Sequence, residues 1–168
     1  MKVQRVYVDT SVIGGCFDEE FAPWSNGLME DFRRRIFKPV LSEILAAEIL
    51  LAPERVRAQY AALLVLEPEF AELTDAAQQL AAAYEVRRIL PEKFVNDALH
   101  IALATVAEVD MLVSWNFKHI VRFDKIRLFN AVNREQGYKS IEIYSPREVT
   151  TSGEGDEDES GEDGSTHS

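Results

Sequence analysis

The sequence predicts an α/β fold, an α/β/α sandwich around a central, mostly parallel sheet. Three observations carry that expectation. Short segments rich in β-branched and aromatic residues recur at 3–8, 36–41, 111–114 and 140–144. The stretches between them place apolar residues at helical spacing. Strands joined by such long helical crossovers pair in parallel and are covered by helices. The 168 residues are 46% hydrophobic and 10% aromatic, enough for one apolar core and the length of one ordinary domain.

The elements follow in order. Residues 3–8 form a buried strand ending at Asp9-Thr10-Ser11. A turn-rich stretch containing Gly14-Gly15, Pro23 and Trp24 leads to Ser25, which suits the cap of a helix reaching about Arg35. After the strand at 36–41, Ser42 caps SEILAAEILL, which stops before Pro53. Pro53 fits the first turn of the next helix, over 53–66. Thr74 begins a helix over 74–89, and Pro91 opens another over 91–108. Residues 111–114 are an apolar strand followed by the turn-like Trp115-Asn116. A helix over 125–136 ends at Gly137, and 140–144 alternate as a last strand before Pro146.

Composition excludes several classes. No apolar run is long enough to cross a membrane, and the stretch before Asp9 is too short for a signal peptide, so a cytoplasmic protein is expected. The single Cys16 and the three histidines rule out a Cys/His zinc cluster of the usual kind, so a metal would need oxygen ligands. The net charge of −11 is concentrated at the C-terminus, where the last 18 residues carry seven acids and neither Lys nor Arg. Setting these aside leaves 22 acids against 18 bases for the body. The expected organisation is therefore a domain over 1–149 and a disordered acidic tail over 150–168, which serves as a solubilising extension or a nucleic-acid mimic. Overall acidity does not exclude an RNA-binding body, since local basic clusters govern encounter.

Loops leaving the carboxyl ends of parallel strands converge in a crevice that faces ligand. Asp9 and Asn116 occupy such positions. Asp110 precedes its strand and belongs at the opposite edge, more than roughly 10 Å away by strand rise, as a turn or helix-end residue. Two helical carboxylates stand among apolar neighbours. Glu48 is flanked by Ile44, Leu45 and Leu51, and reads as a functional acid or as a surface acid at the edge of the stripe. Asp97 faces Phe94 and Ile101, and reads as a functional acid or as a charge favoured near a helix N-terminus. Glu43, about 140° around the helix from Glu48, lies beside the cap and is the weaker candidate.

VYVDTSVIGG, SEILAAEI, NDALHIALA and DMLVSWNFKHIV, taken as an ordered set, resemble the PIN-domain nucleases and especially their VapC-like toxin branch. The resemblance covers residues 1–149 and implies the PIN-like sandwich. It implies that Asp9, Glu48 and Asp97 bind Mg²⁺ or Mn²⁺, with Asp9 and Asp97 direct ligands and Glu48 a ligand or water-orienting base. A fourth acid usual in the family is replaced here by Asn116, which removes one negative charge and leaves a weaker outer partner. Thr10, Ser11 and Ser114 match family hydroxyls that position water or phosphate, or they cap turns. Lys118 and His119 follow within three residues of Asn116 and can reach a phosphate. The clusters Arg33-Arg34-Arg35 with Lys38, and Arg87-Arg88, read more simply as solvated helix faces. Trp115 stacks on a base or packs in the core, and His100 reads as a packed or hydrogen-bonded residue.

The activity implied is metal-dependent hydrolysis of RNA to a 5′-phosphate and a 3′-hydroxyl, by the toxin of a type II toxin–antitoxin pair. Its partners would be RNA, an antitoxin protein and a second copy of the chain through alanine-rich faces after Pro53 and Thr74. The alternative is a catalytically weakened PIN-fold module that binds RNA or protein, motivated by Asn116 and the acidic tail. A phosphohydrolase with Asp9 as nucleophile is disfavoured, because Ser11 stands where such enzymes commonly carry a second acid.

Overall fold

The computed structural model describes residues 2–152. Five parallel strands form one sheet in the order β3-β2-β1-β4-β5, with β1 (Gln4–Val8) at its centre, flanked by β2 (Phe37–Ser42) and β4 (Met111–Val113). The edges are β3 (Glu69–Ala71) and β5 (Ile143–Tyr144). Alternation along β1 divides the core. Val6 and Val8 face α1 (Thr10–Gly15), α2 (Ala22–Arg33), α3 (Glu43–Leu50) and α4 (Glu54–Leu64), while Tyr7 faces the opposite layer of α5 (Asp75–Val86), α6 (Val95–Val106) and α7 (Phe123–Glu135). The expected sandwich is present, and its sheet is parallel throughout.

Local signals held where they were chemically specific. Ser42 and Thr74 cap α3 and α5 by accepting from the backbone N–H groups of Leu45 and Ala77. Gly137 follows α7 at φ 89°, a left-handed conformation that glycine adopts without a Cβ penalty. Other expectations are corrected. Ser25 does not cap α2. The helix begins at Ala22 with Pro23 in its first turn, and Ser25 is buried inside it, donating to the Val12 carbonyl at 2.8 Å. The stretch after Asp9, expected as turns, contains the six-residue α1, because packing against α2 and α4 supports a helix too short to stand alone. The region opened by Pro91 is a 3-10 turn (Glu92–Phe94) running into α6. Edge strand β3 gave no alternating signal over its three residues. The last strand is shorter than expected, because the Ile141 backbone is held by the Asn130 side chain through both its N–H and its carbonyl. A short helix α8 (Pro146–Val149), the last among the described residues, packs against α2.

Of the expected tail, Thr150, Thr151 and Ser152 lie within the described residues, and 153–168 lie outside them. These first three residues are anchored. Asp31 in α2 is fully buried, and its carboxylate accepts from the hydroxyls of Thr150, Thr151 and Ser152 and from the Thr151 backbone N–H. Asp31→Ala leaves these donors without their acceptor and is expected to cost about 1–3 kcal/mol. Chemical denaturation checks the loss, and early proteolysis near residue 150 checks its location. No helix among the described residues is long and apolar enough to cross a membrane.

Candidate functional site

In a parallel sheet every carboxyl end lies at one edge. Val8 pairs with Val113, so the next residues, Asp9 and Ser114, emerge side by side. Asp9 is only 4% exposed. Its Oδ1 accepts from the Ser11 hydroxyl at 2.6 Å and its Oδ2 from Ser114 at 2.7 Å. Those hydroxyls are fixed in turn. The Trp115 N–H donates to Ser11 and the Asn116 N–H to Ser114, both at 2.9 Å. Burial pushes the Asp9 carboxyl above its ordinary range, against the opposing pull of the nearby His100 ring and the two serine hydrogen bonds.

Glu48 reaches this edge from α3, and Glu43, one and a half turns earlier, is exposed. Glu48 Oε1 accepts from Thr10 at 2.9 Å and from His100 Nε2 at 2.6 Å. Burial works to raise its pKa, but the hydrogen bonds from His100 and Thr10 hold it below the usual carboxylate range. Asp97 comes from the first turn of α6, one turn before His100, and its Oδ2 accepts from His119 Nδ1 at 2.9 Å. Asn116 turns its Oδ1 onto the His119 backbone N–H at 2.9 Å and so caps the loop after β4. Asp110 stands at the opposite edge, accepting from the Arg5 N–H, in the turn role its position before β4 implies.

Among the described residues, no three His, Cys, Asp or Glu side chains gather closely enough to hold one metal ion. The acids are instead engaged pairwise, Glu48 with His100 and Asp97 with His119. The donor chemistry nonetheless fits a hard divalent cation. Both hydrogen bonds to Glu48 fall on Oε1 and the bond to Asp97 falls on Oδ2, so one oxygen of each carboxylate carries no protein hydrogen bond. Among the described residues no Lys or Arg pairs with Asp9, Glu48 or Asp97. A cation at this edge would offset the desolvation of Asp9.

The remaining candidates divide by exposure. Ser11 and Ser114 support Asp9, with Ser114 fully buried, and Thr10 supports Glu48. His119 is 7% exposed and turned to Asp97, while Lys118 is exposed. Trp115 takes its core role, stacked on Phe21 at 4.1 Å with its indole N–H on Ser25. Arg33, Arg87 and Arg122 pair with Glu30, Glu135 and Asp124 on the surface, as solvated faces do. The sequence marked Phe94 only as an apolar neighbour of Asp97 and gave Lys93 no role. The Phe94 ring lies 4.0 Å from that of His119, and the ammonium groups of Lys93 and Lys118 stand 5.1 and 6.0 Å from its centroid. No sequence periodicity marked this rim. The role of His100 was also under-read, although its place one turn after Asp97 was a usable signal.

An acid follows the central strand, a second lies on the capped helix and a third opens α6. The family model for the PIN domain matches residues 6–126, and the chain belongs to the PIN-domain family. No curated protein matches it. Among solved structures it resembles VapBC2 from Rickettsia felis bound to a DNA fragment from their promoter, at 12% identity and a TM-score of 0.53. That likeness covers 84% of this chain and 98% of the other, and it supports the fold.

Proposed function

We propose that this chain is a ribonuclease that hydrolyses RNA phosphodiester bonds with Mg²⁺ or Mn²⁺ held by Asp9, Glu48 and Asp97. The observation that carries the reading is that these carboxylates, from three separate elements, stand at one sheet edge without a Lys or Arg partner among the described residues. When bound, the divalent ion supplies positive charge against the scissile phosphate and acidity for the attacking water. Asp9 is held rigid by Ser11 and Ser114. Glu48 presents Oε2 because Thr10 and His100 occupy Oε1, and Asp97 presents Oδ1 because His119 occupies Oδ2. Lys93 and Lys118 offer exposed positive charge to substrate phosphates at the rim.

In the same reading the chain acts in the cytoplasm as a type II toxin, held inactive by an antitoxin. The exposed alanines of α4, Ala58, Ala61 and Ala62, serve a homodimer contact, whereas Ala77 and Ala81 of α5 belong to the core. RNA cleavage that requires Mg²⁺ or Mn²⁺, stops with chelator and is lost in Asp97→Ala supports the assignment. Cleavage that persists in chelator would end it.

One observation favours a weakened, binding-only module as the second reading. Asn116 commits its Oδ1 to the His119 N–H and brings no charge to the site. An aspartate can keep that cap while adding a charge. Asn116→Asp is therefore expected to lower the metal concentration for half-maximal cleavage by roughly three- to tenfold. A metal titration of the cleavage rate checks this, and an unchanged midpoint removes Asn116 from the site.

A further inference from the structure

Glu48 is held by a chain of buried groups that begins outside the site. The Leu45 N–H, at the start of α3, donates to Ser42 Oγ at 3.2 Å. Ser42 Oγ lies 2.7 Å from the Tyr7 hydroxyl, which lies 2.6 Å from His100 Nδ1, and His100 Nε2 lies 2.6 Å from Glu48 Oε1. Ser42 and Tyr7 are fully buried and His100 is 2% exposed.

The direction of the protons follows from what each group can do. Ionised Glu48 only accepts, so His100 must carry hydrogen on Nε2. With Nε2 carrying the ring hydrogen, Nδ1 accepts, and Tyr7 is its donor. The Tyr7 oxygen is left to accept from Ser42, whose own oxygen already accepts from Leu45. Every polar hydrogen in the series is used once and all point toward Glu48. Burial raises the Tyr7 phenol far above its ordinary value, which keeps it a donor. The reverse orientation would leave the Ser42 hydrogen without a partner in an interior where that is costly.

We infer that His100 is a positioning residue for the metal centre, its tautomer set by Tyr7 and Ser42 so that Nε2–H fixes Glu48 Oε1 and leaves Oε2 for the ion. The inference rests on the function proposed above and extends it, because it makes the orientation of one ligand depend on the central strand and the α3 cap. Groups that orient metal ligands in this way typically govern affinity by about 10–100-fold.

The test titrates the full chain with Mn²⁺ alone by calorimetry and reads the His100 tautomer of the metal-free protein from ¹⁵N shifts. Expected are an Nε2–H, unprotonated-Nδ1 ring, a 10–100-fold weaker Mn²⁺ affinity in His100→Leu, and recovery to within about tenfold of wild type in His100→Gln, whose amide can donate from the same region. If His100→Leu does not fold, Tyr7→Phe replaces it, with the expected signature a loss of the single Nε2–H tautomer and weaker Mn²⁺ binding. A protonated Nδ1, or unweakened Mn²⁺ binding in the folded variant, overturns the positioning role while leaving the metal site intact. A wild-type chain that binds no Mn²⁺ overturns the metal site itself, and the positioning role with it.

Discussion

Asp9→Asn is expected to abolish metal-dependent RNA cleavage and, in chelator, to raise the stability of the protein. Both effects come from one carboxyl. Asp9 is buried at the sheet edge with hydroxyl donors and no Lys or Arg partner among the described residues, and burial raises its pKa in the fold. A raised carboxylate pKa means the native state holds the proton more tightly than the unfolded chain. Stability from this residue is therefore fully present below the ordinary Asp range and is lost as pH rises through the folded value. Asparagine carries no such penalty. Asp9→Asn should thus match wild type at acid pH and melt at a higher temperature than wild type at neutral pH. Added Mg²⁺ or Mn²⁺ should stabilise wild type and not the variant, since an ion that binds only the native state raises its apparent stability. Thermal melts across pH, with chelator and with metal, check the sign. A variant less stable than wild type at neutral pH while still cleaving RNA would contradict both halves.

Gly15→Ala is expected to be among the most damaging single-methyl changes in the chain. A Cβ at Gly15, in the last turn of α1, would stand 2.6 Å from Ser25 Oγ and 2.7 Å from Trp115 Nε1, within the hydrogen bond those two groups share. Neither neighbour can move aside cheaply, because Ser25 is bonded to the Val12 carbonyl and Trp115 is stacked on Phe21. Overpacking of this kind costs about 1–3 kcal/mol, or roughly 2–12 °C in Tm. The Trp115 backbone N–H donates to Ser11, so the displacement reaches the hydroxyl that holds Asp9. The neighbouring glycine is the control. Nothing lies within 4 Å of a Cβ at Gly14, and Gly14→Ala should be neutral or stabilising by about 0.5–1 kcal/mol. Denaturant melts of the two variants side by side give the comparison, and equal stabilities would refute the close approach.

Much of the fold could be read along the chain because its determinants are short-range. Ser42 and Thr74 cap helices three residues away, and Pro53 and Gly137 mark boundaries by what their own backbones permit. The acid after β1 was legible because a parallel sheet sends its strand ends to one edge. Two elements escaped notice for the converse reason. β3 spans three residues and α1 six, too few for a periodic signal, and neighbouring chain rather than intrinsic preference holds them in place.

The sequence by itself determined the alternation of strands and helices, the identity of Asp9, Glu48 and Asp97 as candidates, and the absence of a fourth acid at Asn116. Only the tertiary structure decided what those side chains touch. Tyr7 meets Ser42 across 35 positions of chain and His100 across 93, and Ser114 meets Asp9 across 105. Trp115 became a core residue, Asp31 a clamp on the C-terminal segment, and His100 and His119 each the keeper of one carboxylate oxygen. Caps and periodicity act within one helical turn and are written locally. Hydrogen-bond partners in a buried site are chosen by which helices the sheet brings together, and no local pattern of residues encodes that choice.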